Sequence, residues 1–103
     1  MENSFKISGY VGFADVKQFE TSSVCRFSIS VGRKEKGKDD YTSAFLNMEA
    51  WRKNDSKTDF SAIEKGNLIQ VEGFFKPEEW EDKDGKKQNR VVLVATKYEH
   101  IQK

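Results

Sequence analysis

Long apolar runs are missing from this chain, and so is any surplus of charge of one sign. The longest apolar run falls far short of the ~20 residues a membrane-spanning helix requires. The N-terminus, MENSFKISG, lacks the basic-then-apolar pattern of a secretory signal. A single cysteine, Cys25, excludes an internal disulfide, a cysteine-based metal site and a redox pair, and fits a reducing compartment such as the cytoplasm. The one histidine, His100, has no partner at ligand or catalytic spacing. The carboxylates lie in turns and loops and form no acid/base pair, and no glycine-rich phosphate loop follows a strand and opens a helix. No cofactor, metal or catalysis is expected. Net charge is only +1, so any basic surface must be local.

What is present is 103 residues, enough for one domain spanning 1–103 with one core. There is no repeat, low-complexity run or proline-rich linker. Phe5, Ile7, Gly9, Val11 and Phe13 alternate with Lys6, Ser8, Tyr10 and Gly12, which predicts a first strand bent or bulged at its glycines. Phe19 to Ser23 reads as a turn. Cys25, Phe27, Ile29 and Val31 alternate with polar residues in a second strand, and RKEKGKDD (33–40) is a charged loop.

The third strand, Thr42 to Trp51, organises the rest. One face carries Leu46, Met48 and Ala50, an ordinary core stripe. The other carries Phe45, Asn47, Glu49 and Trp51, so two large rings share a face with an amide and a carboxylate. Each would bring roughly 1.5–3 kcal/mol if buried, so their display needs a reason: a subunit interface, or a stacking platform for unpaired bases. Thr58 to Lys65 reads as a short helix with Phe60 and Ile63 on one face and Gly66 as its stop. Leu68 to Lys76 is a fourth strand that puts Phe74 on a polar face. Pro77 to Asn89 reads as an extended hairpin loop turning at Asp84-Gly85 and bearing Trp80. Its carboxylates Glu78, Glu79, Glu81 and Asp82 are expected to point away from any groove. Arg90 to Ala95 is a fifth strand, with Glu99 as an outer limit. Five strands with a short helix between the third and fourth is the order of an all-β, five-stranded Greek-key OB-fold barrel.

A binder of unpaired strands needs rings for bases and cations for phosphates. The candidate platforms are Phe45, Trp51, Trp80 and Phe74. Candidate cations are Arg33 and Lys34, which open a cluster with Lys36 and Lys38; Arg52 and Lys53, which follow Trp51; and Lys86, Lys87 and Arg90, which flank the hairpin's return arm.

These residues resemble the bacterial single-stranded DNA-binding protein family almost end to end. The likeness runs through Asn3, the Gly9/Gly12 pair, Phe27-Ser28-Ile29-Ser30-Val31, the Phe45-to-Trp51 strand, Lys65-Gly66 and VEGFFKPEEWEDKDGKK (71–87). It implies a cytoplasmic homotetramer or dimer that binds single-stranded DNA in replication, repair and recombination. By position it implies stacking at Phe45, Trp51 and Trp80, and phosphate contacts at Lys53 and Lys76. Near Glu35, where the family often has a further stacking ring, the loop is only charged. The family's Gly/Pro/Gln-rich tail and acidic tip, which recruits repair and replication enzymes, have no counterpart in residues that end HIQK, which means either that such recruitment is not expected or that a tail was removed. A chromosomal role and a phage, plasmid or mobile-element role both stay open. The rival reading is a replication accessory module with the same barrel, its outward rings buried against another protein.

Overall fold

The computed structural model describes residues 3–34, 36–37, 41–55 and 59–101, with the backbone alone at 33, 34, 41 and 42. Five strands follow in order: β1 (Phe5–Gln18), β2 (Ser22–Lys34), β3 (Tyr41–Lys53), β4 (Leu68–Glu81) and β5 (Lys87–His100). They close into a barrel ordered β1-β2-β3-β5-β4, in which β3 and β5 form the one parallel pair among the described strands. This is the Greek-key OB arrangement. The barrel closes because β1 serves two partners. Its first half, Phe5 to Tyr10, pairs with β4, and from Tyr10 to Gln18 it pairs with β2, across a bulge between Val11 and Phe13.

The inward residues of the alternation make the core: Val11, Cys25, Phe27, Ile29, Met48, Ala50, Ile69, Val71 and Ala95, with Ile63 joining from the 59–67 segment. Gly9 and Gly73 sit where strands cross closely. A methyl at either would collide with a backbone carbonyl, of Ser30 or of Val94.

Two expectations need correction. The described part of 58–65 is a run of turns, not a helix. Asp59 Oδ1 accepts the Ser61 N–H at 2.8 Å, and Ile63 N–H donates to the Phe60 carbonyl at 2.9 Å. The backbone that would extend a helix is committed to β1 instead: Gly66 N–H donates to Val11 O, and Val11 N–H to Asn67 O, each at 2.9 Å. Ile63 and Phe60 still pack against the core. Gly66 takes φ +94°, the left-handed conformation glycine adopts without penalty. Thr58 itself lies outside the described residues.

The second correction concerns 77–89. β4 runs on to Glu81 and β5 begins at Lys87, so Trp80 stands on a strand, opposite Gln88. Pro77 is tolerated there because β1 has already ended. Phe75 turns its N–H and C=O to that open edge, where the Asn3 side chain takes both, at 2.9 and 2.7 Å. Pro77, two residues on, turns the same way, so no bond to β5 is lost.

The strands outrun the core. β1 is exposed from Phe13 to Gln18, and most of the β4–β5 hairpin beyond Phe74 is exposed too. The radius of gyration is accordingly 15.9 Å, against about 13 Å for an ordinary domain of 100 residues. Among the described residues there is no helix long and apolar enough to cross a membrane.

Candidate nucleic-acid interface

The outer face of β3 keeps the predicted alternation. Leu46, Met48 and Ala50 turn inward, and Phe45 and Trp51 turn outward, 65% and 40% exposed. Opposite them β2 offers Ser30 to Phe45, Ser28 to Asn47, Arg26 to Glu49 and Val24 to Trp51. Phe45 owes its posture to β1. A Cβ added to Gly12 would fall 2.7 Å from Phe45 Cε1 and 2.8 Å from Ser28 Oγ. The ring therefore lies over the bare backbone of Gly12, at the bulge where Phe13 N–H donates to Ser28 Oγ at 3.2 Å. The glycine expected to bend the strand also seats the ring.

Trp51 is held on two sides. Phe19 stacks on it with ring centres 5.9 Å apart and planes inclined by 15°. The indole N–H donates to Glu49 Oε1 at 3.1 Å, while Glu49 Oε2 stands 3.7 Å from Arg26 Nε. Lys17 Nζ lies 5.4 Å from the Phe19 ring centre. Phe19, read from sequence only as part of a turn, is thus the residue that reasoning missed. Its contact joins positions 32 apart in the chain, and nothing local marks it.

On the β4–β5 arm, Phe74, Lys76, Glu78 and Trp80 project from one face, with Trp80 47% exposed. Phe74 also belongs to the barrel's outer surface: it pairs with Val94, which pairs with Glu49. Arg90, opposite Glu78, places its guanidinium carbon 5.6 Å from the Trp80 ring centre. Glu78 does not point away from this face as expected. It accepts from Arg90 Nε at 2.9 Å and Nη2 at 2.8 Å, and Lys76 Nζ lies 3.8 Å off. Two cations outweigh it electrostatically, and the alternation of β4 puts it between Lys76 and Trp80. At the tip, Asp82 takes the Asp84 and Lys86 N–H groups, each at 2.9 Å, and the Gln88 amide at 3.0 Å. Those bonds, the Lys86 N–H foremost, hold its carboxyl below the usual range.

The basic residues separate by location. Lys53 is exposed and shares β3's outward parity with Trp51. Arg52 does not: it turns to the other side, donating to the Trp51 and Thr96 carbonyls at 2.8 and 2.9 Å, with its guanidinium 4.9 Å from the Tyr98 ring centre. Lys86 sits in the exposed turn, and Lys87 stands opposite Glu81. The side chains of Arg33 and Lys34 lie outside the described residues, as does Lys38. Cys25 is fully buried, and burial first, then the Asp15 charge, pushes its thiol to about 11. Among the described residues no three His, Cys, Asp or Glu side chains converge as metal ligands would.

Outward rings interleaved with cations can take bases on their faces and phosphates on their flanks without reading base edges. The model of the single-strand binding protein family matches residues 2–101. A single-stranded DNA-binding protein of Synechocystis is 33% identical over 84 residues, which cover 80% of this chain and 68% of that one. Among solved structures, the Plasmodium falciparum SSB complex with ssDNA superposes with a TM-score of 0.70 at 16% identity, covering 98% of this chain and 94% of that one. A deletion mutant of the Thermus aquaticus single-stranded DNA-binding protein gives 0.76 at 19% identity, and this chain spans 51% of its length.

Proposed function

We propose, starting from a chain that belongs to the single-strand binding protein family, that it binds single-stranded DNA with little sequence preference. It does so as a homo-oligomer serving replication, recombination and repair. Residues 1–103 act as one binding domain, in the cytoplasm, by binding and not by catalysis. The strand stacks its bases on Phe45, Trp51, Trp80 and Phe74. Lys53, Lys76, Lys86, Lys87 and Arg90 meet the phosphates, joined by Arg33 and Lys34 from the end of β2. Arg52, directed at the Tyr98 ring and the Thr96 carbonyl, is better suited to holding the barrel end.

The observation that carries this reading is the display of Phe45 and Trp51 from a strand whose other face is core. A ring face is common to all bases, so such platforms bind without selecting sequence. Each stacked base contributes roughly 1–3 kcal/mol. Phosphate contacts add a term that weakens with salt, by a slope of about 0.7 per contact on single strands. The test is a titration with oligo(dT) followed by intrinsic tryptophan fluorescence. Quenching that saturates, and that Trp51→Ala weakens, is the expected result. Indoles that ignore the oligonucleotide would refute it.

A further inference from the structure

The hairpin arm carries an anion of its own among the cations a strand would need. Glu78 lies between Lys76 and Trp80 on β4, and Arg90 faces it from β5. Its Oε1 takes both Arg90 Nε and Nη2, at 2.9 and 2.8 Å, and its Oε2 stands 3.8 Å from Lys76 Nζ. The same guanidinium rests 5.6 Å from the Trp80 ring centre. A carboxylate and a phosphate present arginine with the same kind of acceptor: oxygens bearing negative charge at hydrogen-bond distance.

We infer that Glu78 is an internal competitor for phosphate. It holds Arg90 and Lys76 in the free protein, and a DNA phosphate exchanges with it as the strand settles on Trp80. This rests on the reading of Trp80 as a stacking platform. The exchange is low in cost because the pair lies at the surface, with Arg90 exposed at 65% and Glu78 half-buried at 30%. Exposed ion pairs are weak and screened by salt. The released carboxylate then sits beside the bound phosphate and repels it, so Glu78 lowers the arm's affinity without blocking it. It also keeps Arg90 over the indole while no DNA is present, so the cation is in place when the strand arrives.

Glu78→Gln tests this, because it keeps the size of the side chain and removes its charge. Oligo(dT) affinity is measured across a salt series for the wild type, Glu78→Gln, Arg90→Ala, the double variant and Trp80→Ala. Glu78→Gln should bind about two- to fivefold more tightly at low salt. That advantage should shrink as salt rises, with a slope steeper by up to about 0.7. In the Arg90→Ala background the gain should shrink to the smaller share that Lys76 carries. A gain that persists there undiminished reflects net charge alone and overturns the exchange. Unchanged affinity in Glu78→Gln, beside weakened binding in Trp80→Ala, overturns it and leaves the platform standing. Unchanged affinity in Trp80→Ala removes the platform and the exchange together.

Discussion

Gly12→Ala reaches a proposed platform without touching it. The added methyl would arrive 2.7 Å from Phe45 Cε1 and 3.0 Å from Cδ1, inside van der Waals contact, so the ring must swing off β1. Swinging costs the fold little. Phe45 is already 65% exposed, so about a third of a burial energy of roughly 1.5–3 kcal/mol is at stake. Replacing a strand glycine by alanine returns about 0.5–1 kcal/mol of backbone entropy. The methyl also presses on Ser28 Oγ, at 2.8 Å, and strains the Phe13 N–H bond at the bulge. Net stability should move by less than about 1 kcal/mol. Affinity should fall by up to one platform's worth, roughly 1–3 kcal/mol or about five- to 150-fold. Thermal denaturation reads the first quantity and fluorescence titration with oligo(dT) the second. The double variant Gly12→Ala/Phe45→Ala should bind no worse than Phe45→Ala alone, because the glycine acts through the ring. Wild-type affinity in Gly12→Ala beside weakened Phe45→Ala, or additive losses in the double variant, would refute the seating argument.

Trp80→Ala should weaken oligo(dT) binding by roughly 1–3 kcal/mol with a small fall in melting temperature; a large fall with unchanged affinity would make the indole structural. Arg52→Ala should do the reverse, lowering stability by about 1–3 kcal/mol through the lost Tyr98 and Thr96 contacts while the salt slope of binding stays put. Cys25 gives an alkaline signature. Its thiol moves from 9.0 in an ordinary setting to about 11 in the fold, by burial first. A raised value means the folded protein holds the proton longer, so this contribution is complete below pH 9 and is lost as pH rises through about 11. The difference in stability between wild type and Cys25→Ala, followed by denaturation from pH 8 upward, should shrink across that window; a flat difference would contradict it.

The sequence made β3 legible because one of its faces is core. Leu46, Met48 and Ala50 are drawn inward, which leaves Phe45 and Trp51 conspicuous. The same rule hid the β4–β5 arm. Past Phe75 both faces of the hairpin are largely solvated, so no alternation survives, and a proline with a run of charges imitates a loop. Phe60 and Ile63 have helical spacing, yet the backbone around them bonds to Val11, 55 residues from Gly66, and spacing carries no trace of that. Phe19 on Trp51, Phe45 on Gly12 and Arg52 on Tyr98 are likewise contacts between distant positions. Residue type proposed rings and cations. Only the closed barrel decides which of them share a side.

Gly73, pinched against the Val94 carbonyl, is the last β4 residue paired with β1, and two residues on, Asn3 still holds Phe75 to the barrel. Trp80 lies five residues beyond Phe75, a lever of about 16 Å at roughly 3.3 Å per residue. A tilt of about 10° at that fulcrum would carry the indole through ~3 Å. Phe45 springs from the closed wall of the barrel and stands on no such lever. On the proposed reading, a polynucleotide spanning both meets one ring on the closed wall and one on a projecting arm, and bending of that arm is the cheaper way to take up slack in its path.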